Sequence, residues 1–331
     1  MIERAIIERA RRAIVGRVFP GCVVGAVSAD GRRVIVPVGN STYEEGSGAH
    51  EVRAATVYDL ASITKSIPLA SLASLFVDEG RFRLSDAVIE YLPELYNDYG
   101  ATIEDLLRYR VRGVQLSTLR HLSAGEIRTF VLNHGFDGPP GESVYTNFPA
   151  LILGMIIERV GEASVSELGA RYFFEPLDMK ATTYFPNPVE CTPTELDERG
   201  EVCGLPHDES AYQFALAHQS AGHAGMFSTA PDLLNFLHAL LYSADVGHPM
   251  SYISEGAAQG LGWQTTGDFF GSHASPGSFG KTGFTGTSVC VDVQKGRGFV
   301  ILSNRTYPKR PPDDHAIHTF RSDIADIILS T

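Results

Sequence analysis

The sequence predicts an α+β fold: an antiparallel sheet flanked by terminal helices, with an all-helical region between its two halves. Three observations carry this expectation. Strand-like apolar runs lie near both ends of the 331-residue chain, "GCVVGAVSAD" and "RRVIVPVG" early, "TSVCVDV" and "FVILSNRTY" late. From about residue 85 to 180 the apolar residues recur instead at helical spacing, with caps and breakers between segments. Amphipathic helices open and close the chain. One domain is then built from both chain ends, 1–80 with 185–331, and a helical domain from 81–184, with the active site expected at their interface.

Each element has its own local reason. In "MIERAIIERARRAIVG", Ile2, Ala5, Ile6, Ala10, Ala13 and Ile14 fall near one face of a helix. Two apolar runs either side of Asp30-Gly31 read as a hairpin. A helix is expected from about Ser62 into the apolar run "SIPLASLASLF". The segments "SDAVIEYLPELY", "TIEDLLRYR", "GEIRTFVLNHG", "NFPALILGMIIERVG" and "VSELGARYFFEPLDM" form the helical region, and 181–222 reads as loops. "MFSTAPDLLNFLHALLYS" reads as a helix with Thr229 as N-cap and Asp232 at its third position. "LGWQTTGDFFG", "SPGSFGKTGFTG", "TSVCVDVQKGRG" and "FVILSNRTY" read as an antiparallel meander, and "TFRSDIADIILST" as a closing helix.

Composition narrows the function classes. With 44% hydrophobic and 20% charged residues the chain suits a soluble globular protein with a large core. A net charge of −12 argues against nucleic acid and anionic membranes as partners, which attract basic patches. The longest apolar stretch is broken by Ser66, Pro68, Ser71 and Ser74, so no membrane span is expected. Charges through the first residues leave no signal-peptide core, and a cytoplasmic protein is expected. Cys22 and Cys290 sit in strand-like runs as buried thiols, and Cys191 and Cys203 would bridge only in an oxidising compartment. No cofactor is expected, because no phosphate-cradling Gly-rich loop follows a strand. Nor is a metal: His207-Asp208-Glu209 and the pair His218 and His223 lack zincin spacing and read as loop packing, with His223 lining the cleft or bracing a turn.

Three short stretches carry chemistry. In "DLASITK" one of only five lysines stands three residues after a serine, inside an apolar run. Ser62 and Lys65 at i and i+3 share a helix face. A lysine buried there has a lowered pKa, and its neutral amine can take the hydroxyl proton of Ser62. Free N–H groups of the helix start lie where an oxyanion would form. In "GESVYTNFPALILG", Tyr145 and Asn147 alternate along an extended segment, so a phenol that relays protons and a carboxamide that binds a carbonyl face one cleft. The bland alternative is a loop tyrosine followed by Asn147 as N-cap. In "FGKTGFTGTS", Lys281 lies on a strand between glycines, Gly283 permits close approach, and an edge strand would leave the Phe284 N–H free for an oxyanion. Lys281 and Thr282 would then meet a substrate carboxylate. The bland alternative is a surface turn.

Ser-x-x-Lys with Lys-Thr-Gly is the signature of penicillin-recognising serine enzymes. With Tyr-x-Asn as the middle element, the set resembles the class C β-lactamase branch. "YDLASITK", "LSDAVIEYLPEL", "GESVYTNFPALILGMIIERVGEAS" and "GKTGFTGTSVCVDV" are similar to that superfamily's segments. "PTELDERGEVCGLPHDESAY" and "AGHAGMFSTAPDLLNFLHALL" resemble its esterase and penicillin-binding-protein members. The resemblance implies a β-lactamase/transpeptidase-like fold, with Ser62 acylated, Lys65 and Tyr145 as general base and acid, Asn147 on the substrate and Lys281 in the opposite wall. Where such relatives carry a Leu-Leu-Thr-His-Thr-Ser-Gly run, this chain has "DLLRYRVRGVQ". The expected activity is hydrolysis of small carboxylic esters or amides through an acyl-enzyme. The alternatives are a β-lactamase or D-Ala-D-Ala carboxypeptidase, acyl transfer to a non-water acceptor, and a non-catalytic acyl-binding or scaffold relative.

Overall fold

The run Gly21–Ser28 has no polar face, as a strand with no solvent side requires, and in the computed structural model it lies inside a five-stranded sheet with every residue buried. Residues 2–44, 49–242 and 249–330 are described. The chain runs through α1 (Ile2–Val15), β1 (Gly21–Ser28), β2 (Arg33–Gly39), β3 (Tyr58–Asp59) and α2 (Ser71–Asp78). The helical stretch follows: α3 (Val88–Tyr91), α4 (Ile103–Leu107), α5 (Ala124–His134), α6 (Phe148–Gly161) and α7 (Val165–Gly169). Then come β4 (Glu195–Asp197), β5 (Gly200–Val202), α8 (Glu209–Leu216), β6 (Phe227–Ser228), α9 (Ala230–Tyr242) and α10 (Pro249–Ala258). The chain ends with β7 (Phe279–Thr282), β8 (Ser288–Asp292), β9 (Arg297–Ser303) and α11 (His315–Leu329).

The main sheet has the order β2-β1-β9-β8-β7, with each neighbouring pair antiparallel. Alternate residues of β1 serve two cores. Val23 and Val27 join Leu233, Leu234 and Leu237 of α9 on one face. Cys22 and Val24 join Ile6 and Ala10 of α1 and Phe320, Ile324 and Ile328 of α11 on the other. The terminal helices therefore cover one face together, and the first core continues into the helical region through α6, buried from Phe148 to Ile157. The edge strand β7 carries Lys281.

Three local expectations are corrected, and the Thr229 cap of α9 is present as expected. The helix from Ser62 is not continuous: a 3₁₀ turn, Ala61–Lys65, precedes a break at Ile67 (φ −119°, ψ 112°) before α2 begins. Pro68 is the reason, since it disfavours helical geometry in the residue before it. "LGWQTTGDFFG" forms no strand; only Gln264 bridges to Gly280, and Asp268–Phe270 is a 3₁₀ turn. The stretch 181–222 holds the β4–β5 hairpin and α8. Asp232 accepts from Ala181 N (2.8 Å) and Thr182 Oγ1 (2.9 Å), which ties α9 to the preceding loop, while its own N–H meets Thr229 Oγ1 at 3.4 Å.

At one contact the fold sets the site directly. Gly154 of α6 packs against Gly222, and a Cβ on Gly222 would lie 2.4 Å from the Ala150 carbonyl oxygen. Gly222 precedes His223, whose carbonyl belongs to the site described below. Gly222→Ala is expected to lose about 1–3 kcal/mol in urea denaturation, as overpacking does. Gly141→Ala, which meets nothing within 4 Å, should stay within about 0.5 kcal/mol. An unchanged midpoint in Gly222→Ala would contradict the close helix approach.

Candidate active site

The serine segment is held from behind by Asp59. Its buried carboxylate accepts from Ala61 N (2.8 Å) and His207 N (2.7 Å). Ala61 adopts φ 47°, a left-handed conformation that a non-glycine residue rarely takes, and Ser62 follows at once. Thr64 Oγ1 donates to the Ala61 carbonyl (2.7 Å) and accepts from Met226 N (3.2 Å), which locks the turn onto β6. The first-turn amide of Ser62 has no acceptor within such a turn.

Lys65 lies 2.8 Å from Ser62 Oγ through its Nζ, which also donates to the His223 carbonyl at 2.7 Å. The residue is 1% exposed, and burial brings its pKa down to about 7 against a partial upward pull from Asp208. Tyr145 is half exposed at the mouth of the cleft, and desolvation pushes its phenol well up against a smaller downward pull from Ser62. Asn147 does not cap α6 with its side chain; its Nδ2 donates to Asp208 Oδ2 at 2.8 Å. Ser62, Tyr145 and Asn147 line one cavity of about 540 Å³.

Across this cavity stand Thr282, Gly283 and Phe284. Phe284 lies in the turn beyond β7, not on the edge strand itself, and its amide finds no acceptor among the described residues. Gly283 is obligatory: a Cβ there would meet Thr287 Oγ1 at 2.1 Å and the Leu60 carbonyl at 2.4 Å. The expectation of a free cation and hydroxyl for a substrate carboxylate is not met. Lys281 is 1% exposed and does not line the cavity. Its ammonium sits 4.5 Å from the Tyr145 ring and 4.9 Å from the Tyr109 ring, and donates to Tyr109 Oη at 3.3 Å. Burial and then Lys65 hold its pKa well below the ordinary lysine value. The Thr282 hydroxyl and amide both go to Gln264 Oε1 (3.2 and 3.0 Å), which covers the sheet edge.

Sequence reasoning missed several residues of this site. Tyr109 comes from "DLLRYRVRGVQ", and its ring packs 5.1 Å from that of Tyr145. Asp208 caps α8, accepting from Ser210 N (3.1 Å) and Ala211 N (2.9 Å), and meets His223 Nε2 at 3.2 Å. Burial alone would raise its pKa; the imidazole and these donors outweigh that and hold the carboxyl well below the usual range. His207 bonds to Glu195 Oε2 at 2.9 Å, and Glu195 also takes Arg310 at 2.7 Å, so "HDE" supplies packing and ion pairs. A capping Asp before a helix was the available signal for Asp208; nothing local pointed to Tyr109.

The fold and this serine–lysine pair define a serine hydrolase of the Ser-x-x-Lys type. The chain belongs to the Beta-lactamase family, whose sequence profile matches residues 7–321. A Salmonella typhi protein, named provisionally as a D-alanyl-D-alanine carboxypeptidase, is 27% identical over 78% of this chain and 72% of its own. The fold is similar to that of EstCE1, described as a hydrolase with promiscuous acyltransferase activity (TM-score 0.78, 17% identity, 99% of this chain and 98% of that one). It is similar also to D-alanine carboxypeptidase AmpC from Burkholderia cenocepacia (TM-score 0.75, 17% identity, 100% and 99%). No helix among the described residues is long and apolar enough to cross a membrane.

Burial of Lys281 has a direct check. A sparing dose of acetic anhydride on the folded protein should acetylate the exposed Lys180, Lys295 and Lys309 and leave Lys65 and Lys281 largely unmodified on peptide mapping. Modification of Lys281 at the rate of Lys309 would put its amine in the open cleft.

Proposed function

We propose that this chain hydrolyses small carboxylic esters through an acyl-enzyme at Ser62. The observation that carries the reading is the 2.8 Å contact between Ser62 Oγ and a Lys65 amine whose pKa lies near 7. Neutral Lys65 takes the Ser62 proton as Oγ attacks the substrate carbonyl. The N–H groups of Ser62 and Phe284 receive the oxyanion. Tyr145 passes a proton to the departing alcohol, and Asn147 binds the acyl carbonyl. Water, activated by the same Lys65–Tyr145 pair, then releases the acid. The two-lobe division at 1–80 with 185–331 and 81–184 belongs to this reading, since Ser62 and Phe284 come from the first and Tyr145 and Asn147 from the second. All four cysteines are free thiols, which suits the reducing cytoplasm.

A fluorophosphonate probe should modify Ser62 alone, at a rate that rises with pH through about 7, as the Lys65 ammonium loses its proton, and levels off above. An adduct mapped elsewhere, or one undiminished in Ser62→Ala, would sink the reading.

Lys281 bears on the substrate. Caged between two tyrosines, its charge is not offered to a ligand carboxylate. We therefore expect p-nitrophenyl butyrate to exceed a chromogenic cephalosporin in kcat/KM by at least about a hundredfold, on the order of 2.7 kcal/mol. The names borne by the relatives favour a second reading, D-Ala-D-Ala carboxypeptidase or β-lactamase. A cephalosporin or a D-Ala-D-Ala peptide that matches the ester would promote it.

A further inference from the structure

The turn that carries Phe284 is held by its carbonyls. Arg321 of α11 donates from Nη2 to the carbonyls of Gly283 and Thr287, each at 2.8 Å. Arg305 donates from Nε to the Phe284 carbonyl at 2.9 Å, and its own amide meets the Thr285 carbonyl at 2.8 Å. Ser303 Oγ takes the Gly286 carbonyl at 3.1 Å. Every carbonyl from Gly283 to Thr287 thus has a donor, while the amide of Phe284, a residue that lines the Ser62 cavity, has no acceptor among the described residues.

The two guanidiniums are unusual in their surroundings. Arg321 is 3% and Arg305 7% exposed, and neither has a carboxylate within ion-pair distance among the described residues. Their neighbour Arg310 pairs with Glu195 and Glu209 in the ordinary way. Arg321 Nε is buried without a partner. A buried cation that a carboxylate reaches only through space, as Asp314 reaches both, costs stability, and an unsatisfied donor adds to that cost. The arrangement satisfies the turn's carbonyls, not the arginine.

We propose that Arg321, supported by Arg305, is a positioning residue that aims and strengthens the Phe284 N–H as oxyanion donor. The Gly283 carbonyl and the Phe284 N–H belong to one peptide unit. A cationic donor on that carbonyl oxygen draws electron density through the amide resonance and makes the N–H a stronger donor. The same bond fixes the plane of the unit, so the N–H direction is set before an oxyanion forms, and the positive charge behind it favours developing negative charge. This inference rests on the acyl-enzyme reading above and adds a residue of the cavity wall that acts through the Gly283 carbonyl.

The test compares R321K and R321M with wild type in three readouts: kcat and KM for p-nitrophenyl butyrate, and the Ki of an alkyl boronic acid whose adduct with a serine places an oxygen at the oxyanion position. R321M should lower kcat about 30–300-fold and weaken the boronic acid in proportion, with KM within about threefold. R321K keeps the charge but reaches one carbonyl where Arg321 holds two, and should lower kcat only about 3–30-fold. Wild-type kcat in the folded fraction of R321M, or a loss confined to KM, overturns the proposal. Should R321M fail to fold, R321K and R305K decide: wild-type kcat in both overturns it equally. Ser62→Ala separates the two levels of argument. If it still turns over ester, the acyl-enzyme reading falls; if it is inactive while the arginine variants behave as wild type, only the role of Arg321 falls.

Discussion

Two lysine amines share one dry interior, and much of the site is arranged around that constraint. Lys65 and Lys281 are each 1% exposed, in a chain with five lysines. Burial disfavours both charges, and Lys281 feels Lys65 in addition. A pKa near 7 where an ordinary lysine lies at 10.5 means that the fold disfavours the Lys65 ammonium over the amine by roughly 5 kcal/mol. Lys65 retains its place because its amine meets a hydroxyl and a carbonyl, Ser62 Oγ and His223 O. Lys281 retains its place between two aromatic faces with one phenol oxygen. Neither has a carboxylate within ion-pair distance among the described residues. A direct ion pair would favour the charged state of either lysine.

Asp208 shows how that balance is kept. It is the carboxylate that raises the Lys65 pKa, yet its oxygens are committed to Asn147, Ser210, Ala211 and His223. Satisfied by those donors, it stays ionised and acts on Lys65 only through space. The result is a lysine that titrates near neutrality. His223 joins both ends of this arrangement, with its side chain on Asp208 and its carbonyl on Lys65. The close packing of α6 against Gly222 sets the height of that carbonyl, which is how a helix–loop contact reaches the chemistry.

What was legible in the sequence was mostly local. Ser62 and Lys65 were visible because a lysine in an apolar run is conspicuous and a spacing of three implies one face. The paired strands of β1 and β2 followed from apolar runs around Asp30-Gly31, and the terminal helices from their stripes. The break at Ile67 was written in Pro68 but outweighed by the apolar run around it. "LGWQTTGDFFG" looked like a strand because its composition suits one; in the fold it reaches the sheet edge through Gln264 alone. Tyr109 and Arg321 could not be found locally, since each matters only through a partner about 170 or 40 residues away. The accessibility expected for Lys281 failed for a related reason: Tyr145, called to the cleft for its hydroxyl, also places its ring over that ammonium.

The Ser62 segment and the turn that carries Phe284 come from distant parts of the chain, yet hydroxyls join them without an intervening loop. Thr285 Oγ1 donates to the Asp59 carbonyl at 2.7 Å, and Thr287 Oγ1 to the Leu60 carbonyl at 3.1 Å. These carbonyls belong to the two residues that lead into Ala61-Ser62. The distance between the serine oxygen and the Phe284 amide is therefore set by two short hydrogen bonds and a few covalent ones, all buried. Oxyanion stabilisation depends steeply on such a distance, so the connection has to be this short. The glycines follow from the same geometry. Gly283 leaves room for the Leu60 carbonyl, and Gly286, at φ 105°, turns the chain back toward β8 beside Ser303. A side chain at either position would separate the two segments, and with them Ser62 from the Phe284 amide.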